Sequence, residues 1–387
     1  MTNFIPLNRP FLTGEEATLV LNAINQNQLS GDGNFTKQCE DLINHYLNID
    51  FSLITNSCTS ALEMSAILAD ISPGDEVIMP SFTFSSTANA FVLRGAVPVF
   101  VDIRSDTLNL DETKIEEAIS SRTKAIIPVH YAGVSCEMDE IISIASKKSI
   151  KVIEDAAQGM LSTYKGKSLG THGDFGCLSF HATKNIVAGE GGAIIVKNPE
   201  KYLNAEMIRE KGTDRSQFIR GEIDKYTWKT VGSSYLPSEI TSAFLASQLM
   251  NATIITAKRM KIWDFFYEET KTFEEKGLLR RPRIPSECKH NAHIFYVVLS
   301  DNLNRNFVLS KMKKYGVQAA FHYTPLHLAP AGLKFGRASG VLSKTVFAAN
   351  NIIRLPLWPG MTYSETARVI AALSEALEAA ENNATQN

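Results

Sequence analysis

Apolar and polar positions follow two rhythms over the first half of the chain. The runs FSLIT (51–55), DEVIMPSF (75–82), VPVFVDI (97–103), KAIIPVHY (124–131) and KVIEDAA (151–157) are short and largely apolar. Runs of that length, closed by turn residues, predict strands buried on both faces. Between them, SSTANAFVLRG (85–95), ETKIEEAISS (112–121) and MDEIISIASKK (138–148) carry apolar residues at helical spacing. Strand and helix in alternation predict right-handed crossovers and an α/β fold with a mostly parallel central sheet covered by helices.

The ends of the chain follow other patterns. Residues 14–27 predict an amphipathic helix, followed by the glycine-bearing loop LSGDGNFT (29–36), together an N-terminal arm. From Cys177 to Val196 two short strands flank a lysine-bearing loop, and beyond Tyr235 the alternation ceases. Residues 238–273 predict long helices leading to a smaller α+β lobe, in which 293–300 is strand-like, 304–316 helical and 317–330 a strand running into a loop with two histidines. The expected division is a large domain over 1–245 and a linking helix with a small C-terminal domain over 246–387. The polar end after Leu377 is expected to fray.

Composition narrows the partners. With 44% hydrophobic residues, 21% charged residues and a formal charge of -2, the chain has no broad basic field for nucleic acid. A small-molecule partner is expected. Five scattered cysteines without a Cys-x-x-Cys pair suit free thiols in a reducing cytoplasm. The opening MTNFIPLNRPFLTGEE has no basic stretch before an apolar core, and the longest apolar region, about 90–103, is interrupted by Arg94 and Asp102. Neither a signal peptide nor a membrane span is expected. His130, His181, His322 and His327 offer no close metal-ligand spacing beyond the five-residue step between the last two, so no metal is expected.

Residues 152–196 concentrate the candidate chemistry. An apolar strand ends at Asp155, and Lys184 follows before the glycine-rich GEGG (189–192). A lysine whose pocket lowers its pKa forms Schiff bases with carbonyls, though a solvated loop lysine reads the same way. A carboxylate at the end of a buried strand serves the protonated pyridine nitrogen of pyridoxal phosphate, or pairs with a neighbouring helix. Gln158 follows within reach of the same ring edge. The turn Ser57-Cys58-Thr59-Ser60 opens a helix, which makes it an N-cap and equally a phosphate site. Phe84 fits either a ring-covering aromatic or plain core.

Taken in order, SCTSAL (57–62), PSFTFSSTANA (80–90), EDAAQG (154–159), SFHATKN (179–185) and GEGG resemble the DegT/DnrJ family of sugar-nucleotide aminotransferases. The resemblance runs from IPLNRP near the start to FHYTPLH near the end. It implies the fold type I architecture of aspartate aminotransferase, pyridoxal 5'-phosphate as cofactor, and a homodimer with shared active sites. Longer strings, among them LSGDGNFTKQCE (29–40), PVHYAGVSCEMD (128–139) and REKGTDRSQF (209–218), are similar to the dTDP-4-dehydro-6-deoxyglucose aminotransferases of the enterobacterial common antigen type.

Carried over by motif, the resemblance makes Lys184 the lysine that joins the cofactor and moves protons, Asp155 the partner of the pyridine nitrogen, and Gln158 a contact on the ring hydroxyl side. Thr59, Ser60 and Ser179 would hold the phosphate, and Phe84 would stack on the ring. Gly31, Tyr323 and His327 are the implied sugar contacts. The implied reaction takes an amino group from glutamate to C4 of a dTDP-4-dehydro-6-deoxyhexose for a surface polysaccharide, in the galacto or the gluco form. Transfer to C3 of a 3-dehydro sugar is the rival within the family, and a cofactor-binding regulator is the rival outside catalysis. A regulator would carry a DNA-binding segment, and no basic helix-turn-helix precedes the sheet. The chain departs from the family at Gly232-Ser233-Ser234-Tyr235-Leu236, where many members read G-Y-N-Y-R; Ser234 stands in for the asparagine that reaches a neighbouring subunit's phosphate. Relatives that dehydrate the sugar replace the lysine with histidine, and Lys184 argues against that reaction.

Overall fold

The computed structural model describes residues 4–384. Its strands are β1 (Ser52–Thr55), β2 (Glu76–Pro80), β3 (Val97–Val101), β4 (Thr123–Ile126), β5 (Lys151–Asp155), β6 (Thr163–Tyr164), β7 (Lys167–Ser168), β8 (Phe175–Ser179) and β9 (Gly192–Val196), followed by β10 (Leu279–Arg280), β11 (Cys288–Lys289), β12 (Phe295–Leu299), β13 (Arg337–Ala338) and β14 (Ile352–Leu355). Eight of them form one sheet in the order β1-β9-β8-β5-β4-β2-β3-β13, in which only β9 runs against its neighbours.

Successive strand residues feed different cores, as the two-residue repeat of a strand requires. Leu53, Val77 and Ile194 pack with helix Cys58–Leu68 on one face, whereas Ile54 and Ile195 pack with helices Asn34–Leu47 and Glu239–Met250 on the other, and Ile78 joins helix Met138–Lys147. Both faces are therefore dry, which explains why these strands read as unbroken apolar runs rather than alternating ones.

A second core belongs to the antiparallel sheet β10-β12-β14, covered by helices Arg305–Lys314 and Tyr363–Ala384. The two lobes interleave. Ile5 lies in the second core and bonds to Gly316 and Gln318, while β13 crosses back to pair with β3. The expected boundary at 245 falls inside helix Glu239–Met250, which is bent by 60° from the helix that begins at Ala252. Among the described residues no single helix is long and apolar enough to cross a membrane.

Three local expectations are corrected. Residues 112–121 form only a 3₁₀ turn, Glu112–Lys114, and the short helix Ile115–Ala118. Residues 317–330 form no strand; isolated bridges at Val317 and Ala320 are followed by a 3₁₀ turn at Leu326–Leu328. The polar end stays helical to Ala384, because Val369, Ala372, Leu373, Ala376, Leu377 and Ala380 recur at helical spacing and are buried in the second core. Residues 385–387 of that expected frayed end lie outside the described residues.

Candidate active site

The carboxyl ends of the parallel strands open into a cavity of about 560 Å³, closed on its far side by the small lobe. Open α/β sheets place their ligands at this edge. Thr59, Phe84, Asp155, Gln158, Ser179, Lys184 and Tyr323, from segments far apart in sequence, all line it.

Asp155 ends β5 and is fixed at both carboxylate oxygens. Thr87 Oγ1 donates to Oδ2 at 2.7 Å, and the Ala157 N–H donates to Oδ1 at 3.1 Å. Its neighbour on β5, Glu154, is fully buried and accepts from the backbone N–H groups of Gly170, His172 and Gly173 and from His130 Nε2. Glu154 thereby ties the strand to the following loop.

Lys184 lies on the loop after β8. Its N–H donates to the His181 carbonyl at 2.8 Å, and Ala182 N–H to Gly189 O at 2.8 Å closes the loop behind it. Burial holds the Lys184 ammonium below the ordinary lysine range, opposed by Cys58 and Asp155 and reinforced by the charge of Arg354. A lysine in that condition has more free amine available near neutrality.

Helix Cys58–Leu68 points its N-terminus at the cavity. Ser57 caps it by accepting from Ser60 N–H at 3.1 Å, and Thr59 Oγ1 donates to Ser86 Oγ at 2.8 Å. Strand β9 passes directly beneath: a Cβ at Gly192 would lie 2.4 Å from Cys58 N. Phe84, 62% exposed, stands at the cavity wall instead of joining the core.

The opposite wall is a network of rings and amides. Gln158 Oε1 accepts from Ala132 N–H at 2.7 Å, which fixes its amide so that Nε2 donates to Tyr323 OH at 3.1 Å. Ala132 holds φ 59° to make that bond, a left-handed conformation that costs an L-residue about 1–2 kcal/mol. Tyr323 stacks on His322 at 3.6 Å, and His322 Nδ1 meets Tyr131 OH at 3.0 Å. Asn185 Nδ2 donates to Asn291 O, so Asn185 Oδ1 accepts from His293 Nδ1 at 3.0 Å. Burial pushes both His293 and His322 well below the usual histidine range, leaving neutral rings. Arg259, whose pKa burial pushes down to about 9, donates to the carbonyls of Ala292 and His293.

Four expected contacts stand elsewhere. Ser60 Oγ turns away to Asn56 Oδ1. Ser234 is exposed outside the cavity, with its carbonyl accepting from Asn56 Nδ2 at 3.1 Å. Gly31 packs beneath Leu236 and Pro237. His327 is held by Ser81, with Nδ1 2.7 Å from its hydroxyl, beside a separate cleft lined by Leu342 and Phe347.

Thr87, Ser86, His293, Arg259 and Arg354 line the cavity without having been singled out in the sequence. Thr87 was legible in principle, because its helical stretch follows β2 at the same sheet edge; the small-lobe residues carried no motif. Lys184, Arg259 and Arg354 face the cavity against buried Asp155 and exposed Glu190, and Arg354 Nε is buried without a partner. An anionic ring cofactor fits this donor set, with a carboxylate at one wall, an exposed aromatic at another and a helix N-terminus beside hydroxyls.

Comparison with known proteins agrees with this geometry. The model of the DegT/DnrJ/EryC1/StrS aminotransferase family matches residues 10–374. An uncharacterised protein of Methanocaldococcus jannaschii is 35% identical over 380 residues, covering 96% of this chain and 97% of its own. GDP-perosamine synthase of Caulobacter vibrioides is 31% identical over 382 residues, covering 96% and 98%. The structure of Spr1654 from Streptococcus pneumoniae in its PMP form superposes with a TM-score of 0.91 at 26% identity, covering 99% of this chain and 100% of that one.

Proposed function

The chain belongs to the DegT/DnrJ/EryC1/StrS aminotransferase family, pyridoxal phosphate enzymes that aminate nucleotide-linked keto sugars, and on that premise we propose that it moves the amino group of glutamate to C4 of a dTDP-4-dehydro-6-deoxyhexose. The product would be a dTDP-4-amino-4,6-dideoxy sugar for a surface polysaccharide. The observation that carries the catalytic part is the meeting of Lys184 and Asp155 on one cavity with Gln158 and Tyr323. The sugar and nucleotide rest on the resemblance of strings such as LSGDGNFTKQCE (29–40) and REKGTDRSQF (209–218) to those of dTDP-4-dehydro-6-deoxyglucose aminotransferases.

Each residue has a task in this reading. Pyridoxal phosphate, when bound, supplies a ring that takes up the electron pair left when a carbon loses its proton. Asp155, oriented by Thr87, keeps a proton on the ring nitrogen. Lys184 Nζ takes the proton from the donor's α-carbon and returns one to the sugar carbon in the second half of the cycle; its depressed pKa suits both directions. Thr59 and Ser179, with the N–H groups that open helix Cys58–Leu68, hold the phosphate. Gln158 holds the ring hydroxyl side and Phe84 covers one ring face.

The same reading makes the protein a homodimer. Phe218, Ile219, Tyr226, Trp228 and Val231 expose apolar surface on the segment before Ser234, and Trp228 is 78% exposed. A patch of this kind suits a second copy, which would bring Ser234 to the neighbouring phosphate and Gly31 and His327 towards the sugar. Sedimentation showing a fully active monomer contradicts this part.

Product analysis tests the whole. Purified protein with glutamate is given dTDP-4-dehydro-6-deoxyglucose and, separately, a 3-dehydro isomer, and the amine is identified by mass and by the NMR coupling at C4. Amination of the first alone is expected, and the coupling assigns the galacto or gluco form. Amination of the 3-dehydro sugar alone, or of a GDP-linked keto sugar in preference, overturns the stated substrate.

A further inference from the structure

The sheet has a second cavity at its opposite edge, and the reaction described above gives it no task. It measures about 570 Å³, lies where β1 and β8 begin and β9 ends, and shares no lining residue with the cavity of Lys184 and Asp155. Its walls are fixed by bonds to the rest of the fold. Glu154 holds the loop 169–174 by accepting from the N–H groups of Gly170 at 2.8 Å and Gly173 at 2.7 Å. Beside that loop the hairpin β6-β7 turns on Lys165 and Gly166, at φ 49° and 78°, the paired positive angles of a tight two-residue turn. Lys165 N–H donates to Glu287 O at 2.8 Å and its ammonium to Asp139 Oδ2 at 2.5 Å, which pins the turn.

Lys167 follows the turn and Lys197 follows β9, and both line the cavity. Among the described residues no carboxylate lies within ion-pair distance of either ammonium. The other charges on the wall do not serve them: Asp174 is taken by Lys151 at 2.9 Å and by the Val152 N–H at 3.0 Å, and Asp50 pairs with neither lysine. Burial and the charge of Lys197 hold Lys167 below the ordinary lysine range, against the opposing charge of Glu154. The two ammonium groups therefore share one cavity and repel each other. The Ser168 hydroxyl and the Asn48 amide belong to the same lining, and neither side chain makes a hydrogen bond among the described residues.

We infer that this cavity is a binding site for a phosphate-bearing anion, held by the ammonium groups of Lys167 and Lys197 with Ser168 and Asn48 as uncharged donors. A pair of like charges is relieved most by an anion that carries more than one charge. Two separately mounted ammonium groups are point charges that grip different oxygens of a phosphoryl group, whereas a single carboxylate is matched by the planar fork of an arginine, and no arginine lines this cavity. The volume takes an inorganic diphosphate and equally the diphosphate end of an organic ligand. Phe51, its ring 4.8 Å from that of Tyr202, supplies an aromatic wall for such a ligand's remainder.

The test uses holoenzyme saturated with pyridoxal phosphate, so that the phosphate position at helix Cys58–Leu68 is already filled. Pyrophosphate is titrated by calorimetry at low ionic strength, and the cavity itself is read by labelling lysines with acetic anhydride, followed by peptide mass spectrometry. Pyrophosphate should slow the labelling of Lys167 and Lys197 and leave that of Lys151 unchanged, because Asp174 already holds the Lys151 ammonium. Lys167→Gln and Lys197→Gln should each weaken pyrophosphate binding about tenfold, the worth of one charge-assisted contact. Both lysines are exposed, so turnover and melting temperature without the anion should match the wild type. A nucleoside diphosphate run beside pyrophosphate identifies the source: protection of the two lysines at lower concentration by the nucleotide marks an organic ligand, and equal or better protection by pyrophosphate marks the free anion. Either result supports the site. Unchanged labelling of either lysine with both anions, or an affinity for pyrophosphate that either substitution leaves unaltered, overturns the inference.

Discussion

Thr87 donates its hydroxyl hydrogen to Asp155 Oδ2 at 2.7 Å from a fully buried position. Since that hydrogen is used, the 2.8 Å contact between Thr87 Oγ1 and Thr83 Oγ1 has Thr83 as donor. The two threonines aim the carboxylate, leaving its position set before any ligand enters. Thr87→Val keeps the shape and removes the bond. Cofactor affinity, measured by absorbance titration, is expected to fall about tenfold, the worth of one buried hydrogen bond. An unchanged affinity removes Thr87 from the site.

The depressed pKa of Lys184 has a chemical consequence in protein stripped of cofactor. Lowering the pKa enlarges the neutral fraction at any pH below the ordinary lysine range, and only the neutral amine attacks an electrophile. At pH 8, brief treatment with trinitrobenzenesulfonate should modify Lys184 ahead of solvated lysines such as Lys271, as read by peptide mass spectrometry. Adding pyridoxal phosphate first should protect it. Lys184→Ala should bind the cofactor without covalent attachment and lose turnover; full activity in that variant removes the lysine from its assigned role.

Glu76 joins the two lobes electrostatically. It begins β2, is 1% exposed, and accepts from Arg337 of β13 at 2.9 and 3.1 Å and from Arg122 at 2.7 Å. The Arg337 hydrogen bonds, against the opposing effect of burial, lower its pKa from the ordinary 4.5 to about 2. A carboxyl depressed on folding contributes stability above its unfolded pKa and loses it as the pH falls through the folded value. Glu76→Gln should lower stability at pH 7 by about 2 kcal/mol, less than the full shift implies because solvent screens the more exposed arginines. Urea titrations should show the difference from wild type shrinking between pH 4.5 and 2.

The large lobe was legible because its strands are covered on both faces and read as apolar runs, and because Asp155 ends one strand and Lys184 lies on the loop after another. Of the cavity's far wall only Tyr323 was singled out as a site residue. Arg354, His293 and His322 come from an antiparallel lobe whose short strands leave weak patterns, and they reach the site only through tertiary packing. The segment 317–330 misled because VQAAFHYTP has strand composition, yet only its start meets a partner, through single bridges at Val317 and Ala320. Gly31, Ser234 and His327 came from motif position alone, which does not say where a residue lies in one subunit; Ser60 came also from the helix-opening turn, whose sequence does not say that its hydroxyl bonds Asn56.

Gly192 gives the sharpest test of how the sheet supports the helix N-terminus. A methyl group there would lie 2.4 Å from both Cys58 N and Ser57 C, backbone atoms that cannot swing aside. At its neighbour Gly191 the nearest atoms are Ala188 Cβ at 3.1 Å and Phe180 Cβ at 3.4 Å, a tight but side-chain contact. Gly192→Ala must therefore push the Ser57–Cys58 turn off β9 or distort the strand. A stability loss of about 1–3 kcal/mol is expected from the overpacking, with a fall in cofactor affinity because the displaced N–H groups no longer point at the phosphate position. Gly191→Ala, the control, should show a smaller loss of stability and near-normal cofactor affinity. Thermal melts with and without pyridoxal phosphate read both effects at once: the ligand-induced rise in Tm should shrink in Gly192→Ala and persist in Gly191→Ala. An equal rise in both variants means that the turn does not hold the phosphate.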